Sequence, residues 1–158
     1  MRTRIEHREP ISGDPWPLLH AFTDDPVGWL PGPARPAGPG RWRVTLHAGP
    51  ARRDVIVEVA APWSFPDAVT RFVHWWAEGD DPGVDARSRL LPEFNGRVSL
   101  RHDGDEVVLD VWGWYEPPVG VVGAALDVAG LRQVAHATLR WFARTVAEQL
   151  TAATRVTI

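Results

Sequence analysis

Histidines are the side chains of this sequence best suited to acid–base or metal chemistry, but their spacing argues against a metal site. No two of them form an HxH or HxxxH pair, and no carboxylate cluster joins them. His74 stands apart because it lies beside Trp75 and Trp76 in an apolar strand, where a partly buried imidazole could act as a general base. No serine partner or positioned carboxylate accompanies it. We therefore predict no catalytic residue and no metal ligand. The six histidines are His7, His20, His47, His74, His102 and His136.

The composition excludes several classes of function. The sequence has no cysteine, so it has no disulfide, thiolate nucleophile or cysteine-based metal site. It also has no lysine, which excludes a Schiff-base mechanism. The net charge of -3 gives no reason to expect a nucleic-acid partner. The composition suggests no cofactor.

Nine tryptophans in 158 residues are the strongest chemical signal of the chain. One interpretation is that some of them line a pocket and stack on a flat ligand. The other is that they fill the core or cover the outer surface of a sheet. Trp112 and Trp114 share a strand face with Asp110 and Glu116, which predicts the outer face and leaves open a dimer or partner surface. The pocket candidates are Trp42, Trp75, Trp76, Trp112 and Trp114.

Two helices are expected to frame the strands. Asp14 followed by Pro15 predicts a helix start, and the helix should end near Asp24-Asp25-Pro26. The pattern from Leu131 to Leu150 predicts a long amphipathic helix of about 30 Å. Its apolar face carries Leu131, Val134, Ala135, Phe142 and Val146, and its polar face carries Gln133, His136, Arg140 and Arg144.

About six strands are expected between and before these helices. The stretch from Asp67 to Glu78 is apolar on both faces, so its inward face is left open. The Pro/Gly-rich segment ending at Gly40 is interpreted as an ordered loop or flap, and Gly79 to Asp85 as an acidic loop. Together the elements predict one α+β domain over residues 1–158, with an antiparallel sheet gripping the last helix. The expected strands are Arg2 to Glu9, Arg41 to Ala48, Asp54 to Ala60, Asp67 to Glu78, Gly96 to His102 and Asp105 to Tyr115.

Three segments in this order resemble the START/Bet v 1-like superfamily, also called SRPBCC or polyketide cyclase/dehydrase-like proteins. They are Ala21-Phe22-Thr23-Asp24-Asp25-Pro26-Val27-Gly28-Trp29-Leu30-Pro31-Gly32, Leu91-Pro92-Glu93-Phe94-Asn95-Gly96 and Tyr115-Glu116-Pro117-Pro118-Val119-Gly120. The resemblance implies a helix-grip fold, a curved antiparallel sheet wrapped around a long C-terminal helix. It also implies an apolar cavity between sheet and helix, in which members bind lipids, sterols, polyketides or other hydrophobic molecules.

The resulting functional expectation is the binding of a small hydrophobic molecule in that cavity. Thr138 lies on the apolar stripe of the last helix, where its hydroxyl could orient a ligand or bond back to a carbonyl one turn earlier. The alternatives are a polyketide cyclase or aromatase-type enzyme, with His74, Tyr115 or Arg71 as its acid or base, and an interaction module with a collapsed cavity. The predicted ligand-binding residues are Trp42, Phe72, His74, Tyr115, Thr138 and Phe142.

The expected partners and location follow from the same patterns. A homodimer is left open, and no membrane span is expected because no apolar run approaches the required length. No apolar signal segment follows the start, so a cytoplasmic location is the expectation.

Overall fold

Six long strands and one long helix build most of the fold. The computed structural model describes residues 2–78, 91–116 and 128–155. In chain order its elements are β1 (Thr3–Ile11), α1 (Pro15–Thr23), a 3-10 turn (Pro26–Gly28), β2 (Arg35–Gly38), β3 (Arg41–Ala48), β4 (Ala51–Val59), β5 (Trp63–Phe65), β6 (Ala68–Ala77), β7 (Glu93–Asp103), β8 (Glu106–Glu116) and α2 (Val128–Arg155).

All strand pairs are antiparallel, and they form one curved sheet in the order β1-β8-β7-β6-β4-β3-β2, with β5 paired to β6. The predicted α+β helix-grip architecture is therefore confirmed. The six expected strands are the six long ones, and two short strands are additional. The first, β2, lies in the Pro/Gly-rich segment that we interpreted as a loop. Proline is tolerated there because β2 is an edge strand, where an N–H can point away from the sheet.

The first helix begins as its sequence predicts. The Asp14 carboxylate accepts a hydrogen bond from the backbone N–H of Trp16 at 3.3 Å, and Pro15 is the first helical residue. Asp25 caps the following 3-10 turn in the same way, accepting from the N–H of Val27 at 3.0 Å. The end of α1 is thereby followed at once by a second ordered turn, which carries Trp29 back into the core.

The long helix extends beyond its predicted limits at both ends, but its two faces are those expected. Of the predicted apolar positions, Ala135, Phe142 and Val146 are buried and Leu131 and Val134 are half-buried, whereas the predicted polar positions are exposed. Its apolar face packs on the inner face of the sheet and on α1. The exposed polar positions are Gln133, His136, Arg140 and Arg144.

The structure decides the face of β6 that the sequence left open. Val69, Arg71, Val73 and Trp75 are buried on the inner face of the sheet, and the alternate positions between them lie on the outer face. Trp112 and Trp114 lie on the outer face, as predicted, and Trp114 is 46% exposed. The predicted acidic loop from Gly79 to Asp85 and residues 117–120 of the third matching segment lie outside the described residues.

Candidate functional site

A row of three aromatic rings crosses the inner face of the sheet. Trp75 on β6 is the register partner of Phe94 on β7, and Phe94 is the partner of Tyr115 on β8. All three are buried, with exposed fractions of 1%, 1% and 3%. β6 ends two residues after Trp75, β7 begins one residue before Phe94, and β8 ends one residue after Tyr115. The row therefore lies at one end of the sheet.

The long helix adds a fourth ring to this row. The ring centroids of Phe142 and Trp75 are 4.9 Å apart, and those of Trp75 and Phe94 are 4.5 Å apart with an interplanar angle of 27°. The indole N–H of Trp75 donates to the carbonyl of Pro92 at 3.1 Å, which satisfies its polar group. We call Trp75, Phe94, Tyr115 and Phe142 the aromatic cluster. Its rings pack against one another where the inner face of the sheet meets α2.

Two facing glycines make room for the aromatic cluster. Gly96 on β7 and Gly113 on β8 are register partners next to the Phe94–Tyr115 pair. A Cβ on Gly96 would lie 2.6 Å from the Phe94 ring and 2.2 Å from the carbonyl oxygen of Trp112. The Phe94 ring therefore leans over a position that only glycine can occupy. Because neither glycine has a side chain, the inner face of the sheet is recessed at this pair, and the Phe94 ring occupies part of the recess.

Four of the six predicted ligand-binding residues lie on the inner side of the fold. Tyr115 and Phe142 belong to the aromatic cluster. Trp42 on β3 is half-buried and packs against the edge of the core. Thr138 on α2 is fully buried, and its hydroxyl donates to the carbonyl of Val134 at 2.8 Å. Of the two roles considered for Thr138, the structure shows the bond back to the helix.

The other two predicted residues, Phe72 and His74, lie on the outer face. Phe72 is 43% exposed and makes an edge contact with Trp63. His74 contacts Glu93 at 2.8 Å through its Nε2 atom, on the side of the sheet away from α2. The alternation of β6 explains the difference, since the inward positions of this strand are the odd-numbered ones. A general base at His74 would not face the interior.

Arg71 points inwards and is 4% exposed, but its guanidinium is engaged by the backbone. Its Nε donates to the carbonyl of Phe22 at 3.1 Å, and one terminal nitrogen donates to those of Thr23 and Asp24, both at 2.9 Å. These carbonyls end α1, where a cation also interacts favourably with the helix dipole. Burial lowers the pKa of Arg71, opposed by the nearby charges of Asp25 and Asp24. Arg71 thus holds the end of α1 against β6.

Trp29 is a further inner residue that our sequence predictions did not include. It is fully buried, its ring centroid lies 4.6 Å from that of Phe22, and the Arg71 guanidinium lies 5.5 Å from its ring. Its indole nitrogen is buried without a hydrogen-bond partner. A buried donor of this kind can serve an acceptor group of a ligand or a water molecule. In the sequence, Trp29 could have been singled out only by its position in the first of the three segments that resemble the superfamily.

Trp75 and Phe94 were also absent from the predicted set. Trp75 was among the tryptophans considered for a pocket, but Trp76 next to it was an equal candidate. Nothing in the local pattern separates two adjacent tryptophans on a strand that is apolar on both faces. Phe94 lies in the second of the segments that resemble the superfamily, but no function was predicted for it.

The described residues can be compared with the structural requirements for a metal site and for a membrane-spanning helix. Residues 2–78, 91–116 and 128–155 contain no group of three side chains arranged to hold a metal ion. No helix among them is both long enough and apolar enough to cross a bilayer.

Three solved structures are similar to this chain over nearly its whole length. Ara h 8.0201, a Bet v 1 allergen, has a TM-score of 0.53 at 13% identity, covering 99% of this chain and 100% of that one. TTHA0849 from Thermus thermophilus has a TM-score of 0.51 at 16% identity, covering 96% and 99%. Ms6760 from Mycobacterium smegmatis has a TM-score of 0.50 at 15% identity, covering 94% and 88%. No protein-family model and no curated protein matches the sequence.

Proposed function

We propose that this chain, which has the Bet v 1-like fold, binds a small apolar and at least partly aromatic molecule between its sheet and α2. The observation that carries the proposal is the aromatic cluster, in which rings from three strands and the helix meet on the inner side. Ligand pockets are lined mainly by apolar and aromatic side chains with few polar groups. The cluster has that composition, and the hydroxyl of Tyr115 supplies one polar group within it.

A carrier or sensor is better supported than an enzyme. A cyclase or aromatase-type reaction needs a side chain that can donate or accept a proton at the ligand. Of the three residues considered for that role, His74 faces outwards and Arg71 is bound to the carbonyls that end α1. Tyr115 remains, and the buried polar or charged side chains that accompany it among the described residues are those of Arg71 and Thr138, both bonded to backbone carbonyls. Binding requires no such pair.

The binding mode follows from the contacts of the cluster. Phe142 and Trp75 touch each other across the space between α2 and β6. A flat ligand in this space would replace that contact by two ring–ligand contacts, so the apolar area buried on binding would be largely aromatic. A small outward shift of α2 would accommodate it. We expect linear, fully saturated ligands to bind less tightly than flat ones.

The first test is native mass spectrometry of the freshly purified protein, followed by extraction under denaturing conditions. We expect a stoichiometric additional mass that is lost on denaturation and that belongs to an apolar molecule. The second test is titration with the neutral fluorescent probe N-phenyl-1-naphthylamine. We expect Phe142→Leu to weaken probe binding, because it removes a ring of the cluster.

The matched control is Phe72→Leu, which removes the same kind of ring from the outer face of the sheet. Its probe affinity should equal that of the unmodified protein. Equal affinities for all three proteins, or a bare mass together with no probe binding, would contradict an internal aromatic site.

A further inference from the structure

The outer face of the sheet carries a groove that the proposed internal site does not use. It runs across β1, β8, β7, β6 and β5 and has a volume of about 470 Å³. This is within the range of roughly 300–1,000 Å³ that is typical of small-molecule sites. The groove is lined among others by Arg4, Arg8, Phe65, Thr70, Arg101 and Trp112.

Positive charge is concentrated around the groove. Arg8 and Arg101 share the carboxylate of Asp110, at 3.0 and 2.6 Å, and both contact it through Nε. The Arg101 Nε donates to one oxygen of this carboxylate, whereas the other oxygen, the one nearest Arg8, is buried without a hydrogen-bond partner. A guanidinium group has five N–H donors and binds a second anion readily when only one of them is used.

Arg97 increases the positive charge without a carboxylate partner. It lies on β7 next to the groove, and none of the ion pairs found among the described residues includes it. Its Nε is buried without a hydrogen-bond partner. The four arginines Arg4, Arg8, Arg97 and Arg101 therefore face two carboxylates, Glu6 and Asp110, in a chain whose net charge is -3.

Aromatic rings and hydroxyl groups complete the lining. Guanidinium groups from both neighbouring strands lie over Trp112, that of Arg97 at 3.9 Å and that of Arg4 at 5.3 Å from the ring centroid. Such stacking keeps the N–H edge of an arginine available for hydrogen bonds. On the other side of the groove Phe65 is 54% exposed. The hydroxyls of Thr70 and Ser99 lie 2.8 Å apart on strands between these two rings.

We propose that this groove is a second binding site, which takes a small planar molecule bearing a carboxylate or phosphate group. The anionic group would contact the N–H groups of Arg8 and Arg101, and the flat part would lie against the exposed ring of Phe65. The excess of guanidinium groups over carboxylates favours an anion. The site is independent of the internal one, because its residues lie on the opposite face of the sheet.

The test is calorimetric titration with 1-naphthyl phosphate and 1-naphthoate, compared with neutral 1-naphthol and with inorganic phosphate. We expect at least one of the two aromatic anions to bind and its affinity to fall with added salt. 1-Naphthol and inorganic phosphate should bind at least about tenfold more weakly, since each lacks one half of the recognised chemistry. The stronger of the two aromatic anions identifies the preferred anionic group.

Variants locate the site. Arg8→Gln should weaken binding of the aromatic anion by about tenfold, the loss expected for a hydrogen bond from a charged group. Arg97→Gln should weaken it to a smaller extent, because it removes a nearby positive charge. Arg43→Gln is the matched control, because it removes an arginine from the same face at a distant strand, where it pairs with Glu78 at 2.8 Å. Its affinity should be unchanged. Far-UV circular dichroism checks that each variant folds.

Any one of four outcomes would overturn the proposal, the fourth of which concerns Phe142→Leu. The first three are equal binding of 1-naphthol and the aromatic anions, unchanged affinity in both Arg8→Gln and Arg97→Gln, and no binding of either anion at millimolar concentration. Loss of anion binding in Phe142→Leu but not in Arg8→Gln would assign these ligands to the internal site and also refute the second site.

Discussion

Arg71 shows how a buried charged residue can be structural in a domain of this fold. The sequence made Arg71 one of three candidates for an acid or base, and its side chain is indeed buried inside the protein. The hydrogen bonds that it donates to three consecutive carbonyls show a different role. Those carbonyls have no partners within α1, so a guanidinium at this place satisfies them and opposes the helix dipole.

We predict that Arg71→Met lowers the free energy of unfolding by about 2–3 kcal/mol, because it leaves buried carbonyl groups without donors. Chemical denaturation followed by circular dichroism measures this change. Arg43→Met is the control, because the Arg43 guanidinium pairs with Glu78 at the exposed surface. It should change the stability much less. If Arg71→Met were as stable as the Arg43→Met control, the hydrogen bonds from Arg71 would not be needed to stabilise the end of α1.

Tyr115 and His74 illustrate how the side of a strand decides the role of a residue. Both were predicted to contact a ligand, and both belong to strands in the middle of the sheet. Tyr115 occupies an inward position of β8, whereas His74 occupies an outward position of β6. Since successive side chains alternate between the two faces, one position along the chain separates an internal residue from an external one.

At the scale of elements, the pairing of β7 with β8 depends on Gly96 and Gly113. A Cβ on Gly113 would lie 2.4 Å from the carbonyl oxygen of Asn95 and 2.5 Å from the Cα of Gly96. Both atoms belong to the backbone of the neighbouring strand and cannot move without opening the pair. This close approach also holds Phe94 and Tyr115 side by side in the aromatic cluster.

We predict that Gly113→Ala destabilises the protein by at least about 2 kcal/mol, since overpacking against backbone forces the strands apart. Thermal or chemical unfolding gives the size of the effect, and N-phenyl-1-naphthylamine binding should weaken as the cluster is displaced. Gly28→Ala is the control because no atom lies within 4 Å of the added Cβ. Its stability should stay close to that of the unmodified protein. If Gly113→Ala left the free energy of unfolding unchanged, β7 and β8 would be able to move apart at little cost in stability.

For the whole molecule, one hydrophobic core joins the sheet and both helices. The cluster of buried residues includes members of β1, α1, β3, β4, β6, β7, β8 and α2. Phe142 is fully buried in it and contacts Trp75 on the central strand β6. A core shared in this way predicts that the sheet does not unfold separately from α2.

We predict that Phe142→Leu lowers the free energy of unfolding by about 1–2 kcal/mol through the loss of buried apolar area. Far-UV circular dichroism and tryptophan fluorescence should report the same midpoint before and after the change. Phe72→Leu, on the outer face, should change stability by less than about 0.5 kcal/mol. Different midpoints for the two probes would show that helix and sheet unfold as separate units.

The sequence by itself determined the two helices, the six long strands and the class of fold, but not the short strands β2 and β5. Asp14 and Pro15 start α1, and the apolar stripe of α2 predicts a long helix packed on a sheet. These signals are local, since a helix cap and a 3.6-residue period are readable from a few neighbouring residues. The outward position of Trp112 and Trp114 was likewise predictable, because they alternate with buried apolar residues along β8.

Only the tertiary structure decided which aromatic residues face the interior. The strand β6 is apolar on both faces, so the positions of Trp75 and Phe72 follow from the register with β4 and β7 and not from the sequence of β6. The outer groove depends on the same register, which brings Arg8, Asp110 and Ser99 into one row across three strands. Contacts of this kind join residues far apart in the chain. They arise only once the sheet is assembled, and a local sequence pattern carries no record of them.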